Sequence, residues 1–213
     1  MLPAPARQRK RTYRRRKTPR SRRCGLDCDA AESPAEVVSR QCQTSSVGLT
    51  FERVRTAETS AIVAFLSGSD WPFHGATRLS VAEAEAINIS NAATRSFWIR
   101  DAGTVVGLVR LLDLDDVDDG SPLFDLRIAS GRRGQGFGTA AVKWLSDYLF
   151  VEYPALHRIE ATTRSDNVAM IAILERCGYH HEGLLREAWK SRDGSRHDTM
   201  LYGLLRREWS GAP

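Results

Sequence analysis

The sequence predicts one α/β domain, in which helices flank a mixed and mostly antiparallel sheet, preceded by a basic N-terminal tail. Two observations lead to this fold class. Between residues 49 and 210, segments with strand-like apolar alternation take turns with segments whose apolar residues recur at helical spacing. The chain has 213 residues, of which 42% are hydrophobic, and this is enough apolar material for one ordinary core.

Residues 1–48 differ from the rest of the chain in charge. They contain 12 Lys or Arg and 4 Asp or Glu, whereas the remainder contains 19 basic and 22 acidic residues. The run RQRKRTYRRRKTPRSRR at 7–23 has almost no large apolar side chains, which predicts a disordered tail or residues upstream of the true start. Such a run can also bind nucleic acid or an anionic surface. It lacks the apolar segment of a secretory signal, and no run in the chain is long enough to span a membrane. We therefore expect a cytoplasmic protein without a membrane partner.

The cysteines and acidic segments predict no metal site. Cys24 and Cys28 have the spacing C-x3-C, but no second pair or histidine follows at zinc spacing. Disulfides are not expected without export, and Cys177 ends an apolar helical pattern, as a small buried side chain would. The acidic segment 113–122 does not have the spacing of a calcium loop, so we interpret it as a solvated loop.

The N-terminal half of the domain is predicted to begin with a strand, followed by a helix that starts near residue 56. The segment DWPFHG at 70–75 ends this helix, because proline and glycine interrupt helices. A second helix is predicted over 81–93, and two strands follow at 96–101 and 104–114.

The C-terminal half begins with a strand at 123–129, in which apolar and charged residues alternate, and this strand leads directly into GRRGQGFGT at 131–139. A helix is predicted after Gly138, and another begins at Asn167 and ends before Gly178. Strands are predicted at 157–163, 180–191 and 198–209.

The glycine-rich segment therefore lies at a strand-to-helix junction, where free N–H groups and the helix dipole favour an anion. It does not fit a Walker A loop, because Phe137 and Gly138 stand where Lys and Ser or Thr are required. It does not fit a dinucleotide-binding loop either, since Thr139 occupies the position of the third glycine. What it contains is R-x-x-G-x-G, with Arg133, Gly136 and Gly138.

This motif resembles the diphosphate-binding loop of the GNAT superfamily, the acetyl-CoA-dependent N-acetyltransferases. RIEATTRSDNVAMIAILERCGY and the closing EGLLREAW…GSRHDTMLYGLLRREW resemble the family's next segments in the expected order. The resemblance covers about residues 49–210 and is closest to the Rim-type group that modifies protein N-termini. It implies the GNAT fold, a single domain over 49–210 and acetyl transfer to a primary amine, on a protein N-terminus or a small molecule.

The resemblance also assigns the acetyl-CoA site. Loop N–H groups are expected to hold the diphosphate, and the preceding strand and an asparagine are expected to hydrogen-bond the pantetheine arm. Asn167 is in addition a good helix N-cap, and the two roles are compatible. The residues assigned to acetyl-CoA are Leu126, Arg127, Ile128, Arg133, Gly134, Gln135, Gly136, Phe137, Gly138, Thr139 and Asn167.

The catalytic residues are harder to assign. Glu187 is the first candidate for the general base and Glu160 the second, although either carboxylate can instead pair with a neighbouring arginine on its strand. Many relatives carry a tyrosine as general acid where this chain has Leu174, and Rim-type members often have a serine where it has Met170. Neither of these side chains can donate a proton.

The acceptor site is expected at 70–75. Trp71, Phe73 and His74 can line a pocket for the amine, or they can simply pack. The slightly acidic domain favours a cationic acceptor, and the protein is expected to be a monomer or homodimer. The alternative is an acyl-CoA-binding regulator or nucleic-acid-associated protein that uses the basic tail and has no transferase activity.

Overall fold

The computed structural model describes residues 48–117 and 121–211, so the tail predicted over residues 1–48 lies outside the described residues except for its last position. The strands are β1 (Leu49–Arg53), β2 (Arg95–Asp101), β3 (Thr104–Leu112), β4 (Leu123–Ile128), β5 (Arg158–Arg164), β6 (His180–Lys190) and β7 (Arg196–Leu205). The helices are α1 (Thr59–Ser67), α2 (Val81–Glu85), α3 (Phe137–Glu152) and α4 (Val168–Arg176).

The strands form two antiparallel sheets. The first has the order β1-β2-β3-β4, and the second has the order β5-β7-β6. Consecutive strands of the first sheet are neighbours, and the β2–β3 hairpin turns at Ala102 and Gly103, which both have positive φ. The predicted α/β fold with mostly antiparallel strands is confirmed. β4 and β5, which α3 connects in the chain, are edge strands of different sheets.

The first sheet is covered by helices on both faces, which explains why β2 is buried almost continuously. On one face Phe97 and Phe51 pack on Trp144 of α3, with the Phe51 and Trp144 rings stacked at 4.2 Å. On the other face Trp98 belongs to a smaller cluster with Leu66 of α1. Neighbouring residues of β2 thus contribute to different cores, because strand side chains alternate between the two faces of a sheet.

The helix predicted over 81–93 ends at Glu85. Ser80 begins it with a capping box, in which its hydroxyl accepts a hydrogen bond from the Glu83 N–H. Beyond the helix, the carbonyl of Asn88 accepts a hydrogen bond from Arg110 and that of Ile89 accepts one from Ser96. These side-chain donors satisfy backbone carbonyls that a longer helix would have used, and the prediction of 13 helical residues was wrong.

Other predictions concern metals, thiols and membranes. Within residues 48–117 and 121–211, no group of three or more His, Cys, Asp or Glu is placed to hold a metal. No helix in these ranges is long and apolar enough to cross a membrane. Cys177 is a free, half-buried thiol, and burial raises its pKa to about 11. The other three cysteines and residues 118–120 of the acidic segment lie outside the described residues.

Candidate active site

The glycine-rich segment joins β4 to α3 through one short helical turn, Ser130–Arg132, and then a loop. Gly134 and Gly136 have φ values of +76° and +85°, which side chains with a Cβ rarely adopt. A Cβ at either position would meet no atom within 4 Å, so the glycines are required by backbone conformation and the space beside them is open. Gly136 is the N-cap of α3, whose first-turn N–H groups have no acceptor within the helix. This geometry fits an anion such as a diphosphate.

Gly138 has a different role. A Cβ at this position would lie 2.8 Å from Cδ1 of Ile173. Glycine therefore allows the start of α3 to approach α4 closely, and this contact brings the loop beside the helix that begins after Asn167.

A cavity of about 190 Å³ lies between β4, the loop and the first turns of α4. Most of the residues that the sequence assigned to acetyl-CoA line this cavity, but Gln135, Gly136 and Thr139 are not among its walls. All three residues assigned to the acceptor, Trp71, Phe73 and His74, line the same cavity. The walls are formed by residues 71–74, 126–128, 132–134 and 137–138 with Asn167, Ala169, Met170 and Ile173.

Arg133 connects the loop to both neighbouring walls. Its Nε donates a hydrogen bond to the carbonyl of Ile128 at 3.0 Å, and its Nη2 donates one to the carbonyl of Asp70. Ile128 belongs to the strand segment expected to hydrogen-bond the pantetheine arm, and its carbonyl already accepts this side-chain hydrogen bond. The guanidinium also lies 5.8 Å from the ring centroid of Trp71.

Trp71 anchors the wall formed by residues 71–74. It is only 1% exposed, and its indole N–H donates to the carbonyl of Leu66 at the end of α1. The guanidinium of Arg127 lies 5.2 Å from the centroid of the Trp71 ring, and Arg127 is only 8% exposed. The Trp71 ring is therefore in cation–π contact with two of the three arginines that line the cavity, Arg127 and Arg133.

Asp125 of β4 is the centre of a charged cluster at the edge of the cavity. One carboxylate oxygen lies 3.0 Å from Nε2 of His74, and the other accepts hydrogen bonds from Arg110 at 3.0 Å and Arg127 at 3.2 Å. Burial alone would raise the pKa of Asp125, but the His74 hydrogen bond and the charges of Arg127 and Arg110 hold it far below its usual range. Asp125 is therefore a carboxylate at any working pH.

Asn167 caps α4, as the sequence predicted. Its side-chain oxygen accepts a hydrogen bond from the N–H of Met170 at 3.3 Å. Its amide nitrogen donates to the hydroxyl of Thr163 on β5 at 3.0 Å, and a primary amide has a second N–H to donate. Because Asn167 also lines the cavity, this second N–H can serve a ligand.

Glu187 and Glu160 are not among the cavity walls. Glu187 is exposed with φ +53°, its N–H donates to Asp198, and the β6–β7 register shifts between Leu185 and Trp189. The regular alternation of side chains along β6 does not continue through this bulge. Glu160 forms an ion pair with Arg158 at 3.2 Å, the pairing that the sequence left open.

Several residues that line the cavity were not predicted from the sequence. Arg132, Pro72 and Ala169 lie within two residues of predicted site residues. Extending each predicted segment by two residues would have included them. Met170 was considered only as a departure from the family, and it is a wall of the cavity. Asp125 was interpreted as one of the charged positions of β4. Its partner His74 is 51 residues away, so local patterns carry no signal for the pair.

Comparisons with known proteins point to one family. The family described as "Acetyltransferase (GNAT) domain" matches residues 49–180. The putative ribosomal N-acetyltransferase YdaF of Bacillus subtilis (strain 168) is 34% identical over 109 residues, which are 51% of this chain and 58% of that protein. The spermidine N(1)-acetyltransferase of Vibrio cholerae serotype O1 is 31% identical over 101 residues, 47% of this chain and 57% of that protein. Mycobacterium smegmatis RimJ, solved in complex with CoA-disulfide, has a TM-score of 0.60 and 25% identity, covering 77% of this chain and 85% of that one.

The chain belongs to the GNAT acetyltransferase family, and the resemblance to its Rim-type group is confirmed. It is therefore an acetyltransferase. The regions that match the two curated relatives span 58% and 57% of their lengths. The comparisons give no support to the alternative of a binding protein without transferase activity.

Proposed function

We propose that residues 49–210 form a catalytic domain that transfers the acetyl group of acetyl-CoA to a primary amine. The observation that carries this proposal is that one cavity joins the glycine-rich loop, the edge of β4 and the cap of α4. RimJ of Mycobacterium smegmatis, which shares the fold, was solved with a CoA derivative. The named relatives act on spermidine and, putatively, on ribosomal proteins, and both kinds of acceptor carry primary amines.

Acetyl-CoA is proposed to lie with its diphosphate against the N–H groups of residues 133–139 and its arm along Leu126–Ile128. Support comes from the open space at Gly134 and Gly136 and from the first-turn N–H groups of α3. Asn167 would hydrogen-bond the arm from the opposite wall. The acceptor amine would enter beside Trp71, Phe73 and His74, which form the remaining wall.

The acceptor is proposed to be cationic before it reacts. The part of the chain after residue 48 has 22 acidic and 19 basic residues, and a net negative domain attracts cations over long distances. Glu187 and Glu160 remain predictions for the general base, but their positions outside the cavity walls do not support that role.

The test is a transfer assay that follows release of the CoA thiol, with spermidine and a synthetic peptide with a free N-terminus as acceptors. We expect the full chain to acetylate at least one of them. Gly136→Trp should abolish transfer, because the indole would fill the space proposed for the diphosphate. Gly211→Trp is the matched control, since Gly211 also has positive φ (+67°) and open surroundings but lies outside the glycine-rich loop and the N-terminus of α3. Transfer that survives in Gly136→Trp would contradict the proposed cofactor site.

A further inference from the structure

We propose that His74 is the general base that removes a proton from the acceptor amine and that Asp125 is the residue that positions its ring. This inference rests on the proposed transferase function and deepens it. His74 lines the cavity, and its Nε2 lies 3.0 Å from the carboxylate of Asp125. The carboxylates predicted for this role, Glu187 and Glu160, are not cavity walls.

The position of the hydrogen on the imidazole ring of His74 follows from its hydrogen-bond partner. Asp125 is a carboxylate, so it can only accept a hydrogen bond, and Nε2 of His74 must carry the hydrogen. A neutral His74 therefore has its lone pair on Nδ1, and Nδ1 is the atom that can take a proton. A histidine held by a carboxylate at one nitrogen and basic at the other is a common arrangement for a general base.

Asp125 is itself held in place by hydrogen bonds. Its other oxygen accepts hydrogen bonds from Arg110 at 3.0 Å and from Arg127 at 3.2 Å. Only 15% of its side chain is exposed. Because two arginines on adjacent strands hold it, the carboxylate cannot swing away, and the ring of His74 is fixed with it.

The position of Asp125 along β4 sets where His74 lies relative to the loop. β4 leads into the loop proposed to hold the diphosphate, so positions farther back along the strand lie toward the thioester end of the arm. Asp125 precedes Ile128 by three residues, a distance of about 10 Å along a strand. Asp125, which hydrogen-bonds His74, is therefore displaced from the loop toward the proposed position of the acetyl carbonyl.

Some buried nitrogen atoms of residues that line the cavity lack a hydrogen-bond partner within the described part of the chain. Nδ1 of His74 is buried and has no hydrogen-bond partner among the described residues, and the same holds for Nη1 of Arg127. Buried polar groups are usually hydrogen-bonded, and those that are not call for an explanation such as a ligand or water. Both residues line the cavity. In this proposal the acceptor amine is the donor that meets Nδ1 of His74, and an oxygen of the bound ligand is the acceptor that meets Nη1 of Arg127.

The proposed chemistry is balanced without further reactants. The amine enters as an ammonium, and Nδ1 of His74 takes one of its protons. The freed lone pair forms the N–C bond with the acetyl carbonyl carbon, and the C–S bond breaks as the CoA thiolate leaves. The nitrogen loses a second proton, which neutralises the thiolate, and His74 returns its own proton to solvent.

The charges around His74 come from three strands and a turn. Asp125 and Arg127 are on β4, Arg110 is on β3, and Arg164 of β5 lies 5.6 Å from the ring of the adjacent Phe73. The backbone N–H of Arg192, in the β6–β7 turn, donates to the carbonyl of Gly75. Of these groups, Asp125 is the one that hydrogen-bonds the imidazole directly.

The test compares His74→Gln with His157→Gln in the full chain, using spermidine and the free-N-terminus peptide. Glutamine can still donate a hydrogen bond to Asp125 but cannot act as a base, so folding should be retained. His157 is exposed and does not line the cavity, which makes it the matched control. We measure kcat and KM for acetyl-CoA from pH 6 to 10.

We expect His74→Gln to lower kcat at neutral pH by roughly 100-fold or more, because general bases contribute about 10²–10⁴ in rate. KM for acetyl-CoA should stay within about twofold of the wild-type value, and kcat of the variant should rise steadily with pH as the free amine forms in solution. The loss should be larger with spermidine, because an alkylamine with a pKa near 10.4 is about 200-fold less deprotonated at pH 7 than a peptide α-amine near 8.

Two results would overturn this inference while the proposed function stands. One is a His74→Gln enzyme whose kcat stays within about threefold of wild type with the same pH profile, since loss of a general base costs far more. The other is an NMR measurement on 15N-histidine protein that finds the hydrogen of neutral His74 on Nδ1. This second measurement is made on the wild type and does not depend on the variant's folding. A wild-type chain that acetylates neither probe would refute the proposed function itself, and this inference with it.

Discussion

Asn167 can be tested so that its structural and cofactor-binding roles separate. Asn167→Ala removes the cap hydrogen bond to Met170 N–H and the hydrogen bond to Thr163. A lost N-cap costs about 1 kcal/mol and a lost hydrogen bond about 1 kcal/mol, so we expect about 2 kcal/mol of destabilisation. For a domain of this size, that corresponds to a Tm lower by roughly 4–8 °C.

Asn167→Asp should behave differently. Aspartate caps a helix as well as asparagine does, and the hydroxyl of Thr163 can donate to it, so the loss of stability should stay below about 0.5 kcal/mol. It has no N–H, however, and cannot donate to the pantetheine arm. We therefore expect acetyl-CoA to bind roughly 3- to 10-fold more weakly, the value of one hydrogen bond.

The assay combines thermal unfolding with calorimetric titration of acetyl-CoA. Ser80→Ala is the control, since it removes the cap of α2, none of whose residues is a cavity wall, and should lower stability without changing acetyl-CoA affinity. Wild-type affinity in Asn167→Asp would refute the reasoning, because Asn167 would then serve only as a cap.

Two further predictions concern titrating groups. In the folded protein the pKa of Asp125 lies below the unfolded-state value of about 3.9. The Asp125 carboxylate therefore stabilises the folded state above that pH, and this contribution to the free energy of unfolding is lost as the pH falls below it. Urea unfolding should show Asp125→Asn to be about 3 kcal/mol less stable at pH 7 and less sensitive to acid, whereas exposed Asp115→Asn should match wild type. The thiol of Cys177 has a pKa of about 11, so peptide mapping should find it largely unmodified by iodoacetamide at pH 8 in the native protein and modified in urea. Rapid native modification would contradict its burial.

The local parts of the site could be predicted from the sequence. The loop was found because β4 alternates, α3 has helical spacing, and the glycines stand between them, all within residues 123–152. The wall at 71–74 was found from its composition, since a proline-containing aromatic cluster stands apart from the helices around it.

The contacts that complete the site are long-range and left no local signal. The pairing of His74 with Asp125 depends on how the segment 70–75 folds back over β4. The positive φ of Glu187 breaks the alternation of β6, and a glutamate gives no indication of such a conformation. The early end of α2 depends on Arg110 and Ser96, which reach its following residues from neighbouring strands.

The central claim is that the cavity between β4, the glycine-rich loop and α4 holds acetyl-CoA. The most direct measurement is a calorimetric titration of acetyl-CoA into the full chain and into Gly136→Trp. The account predicts one site with micromolar-range affinity in the wild type and no measurable binding in a folded Gly136→Trp variant. Absence of binding by the folded wild type, or equal binding by the variant, would contradict it.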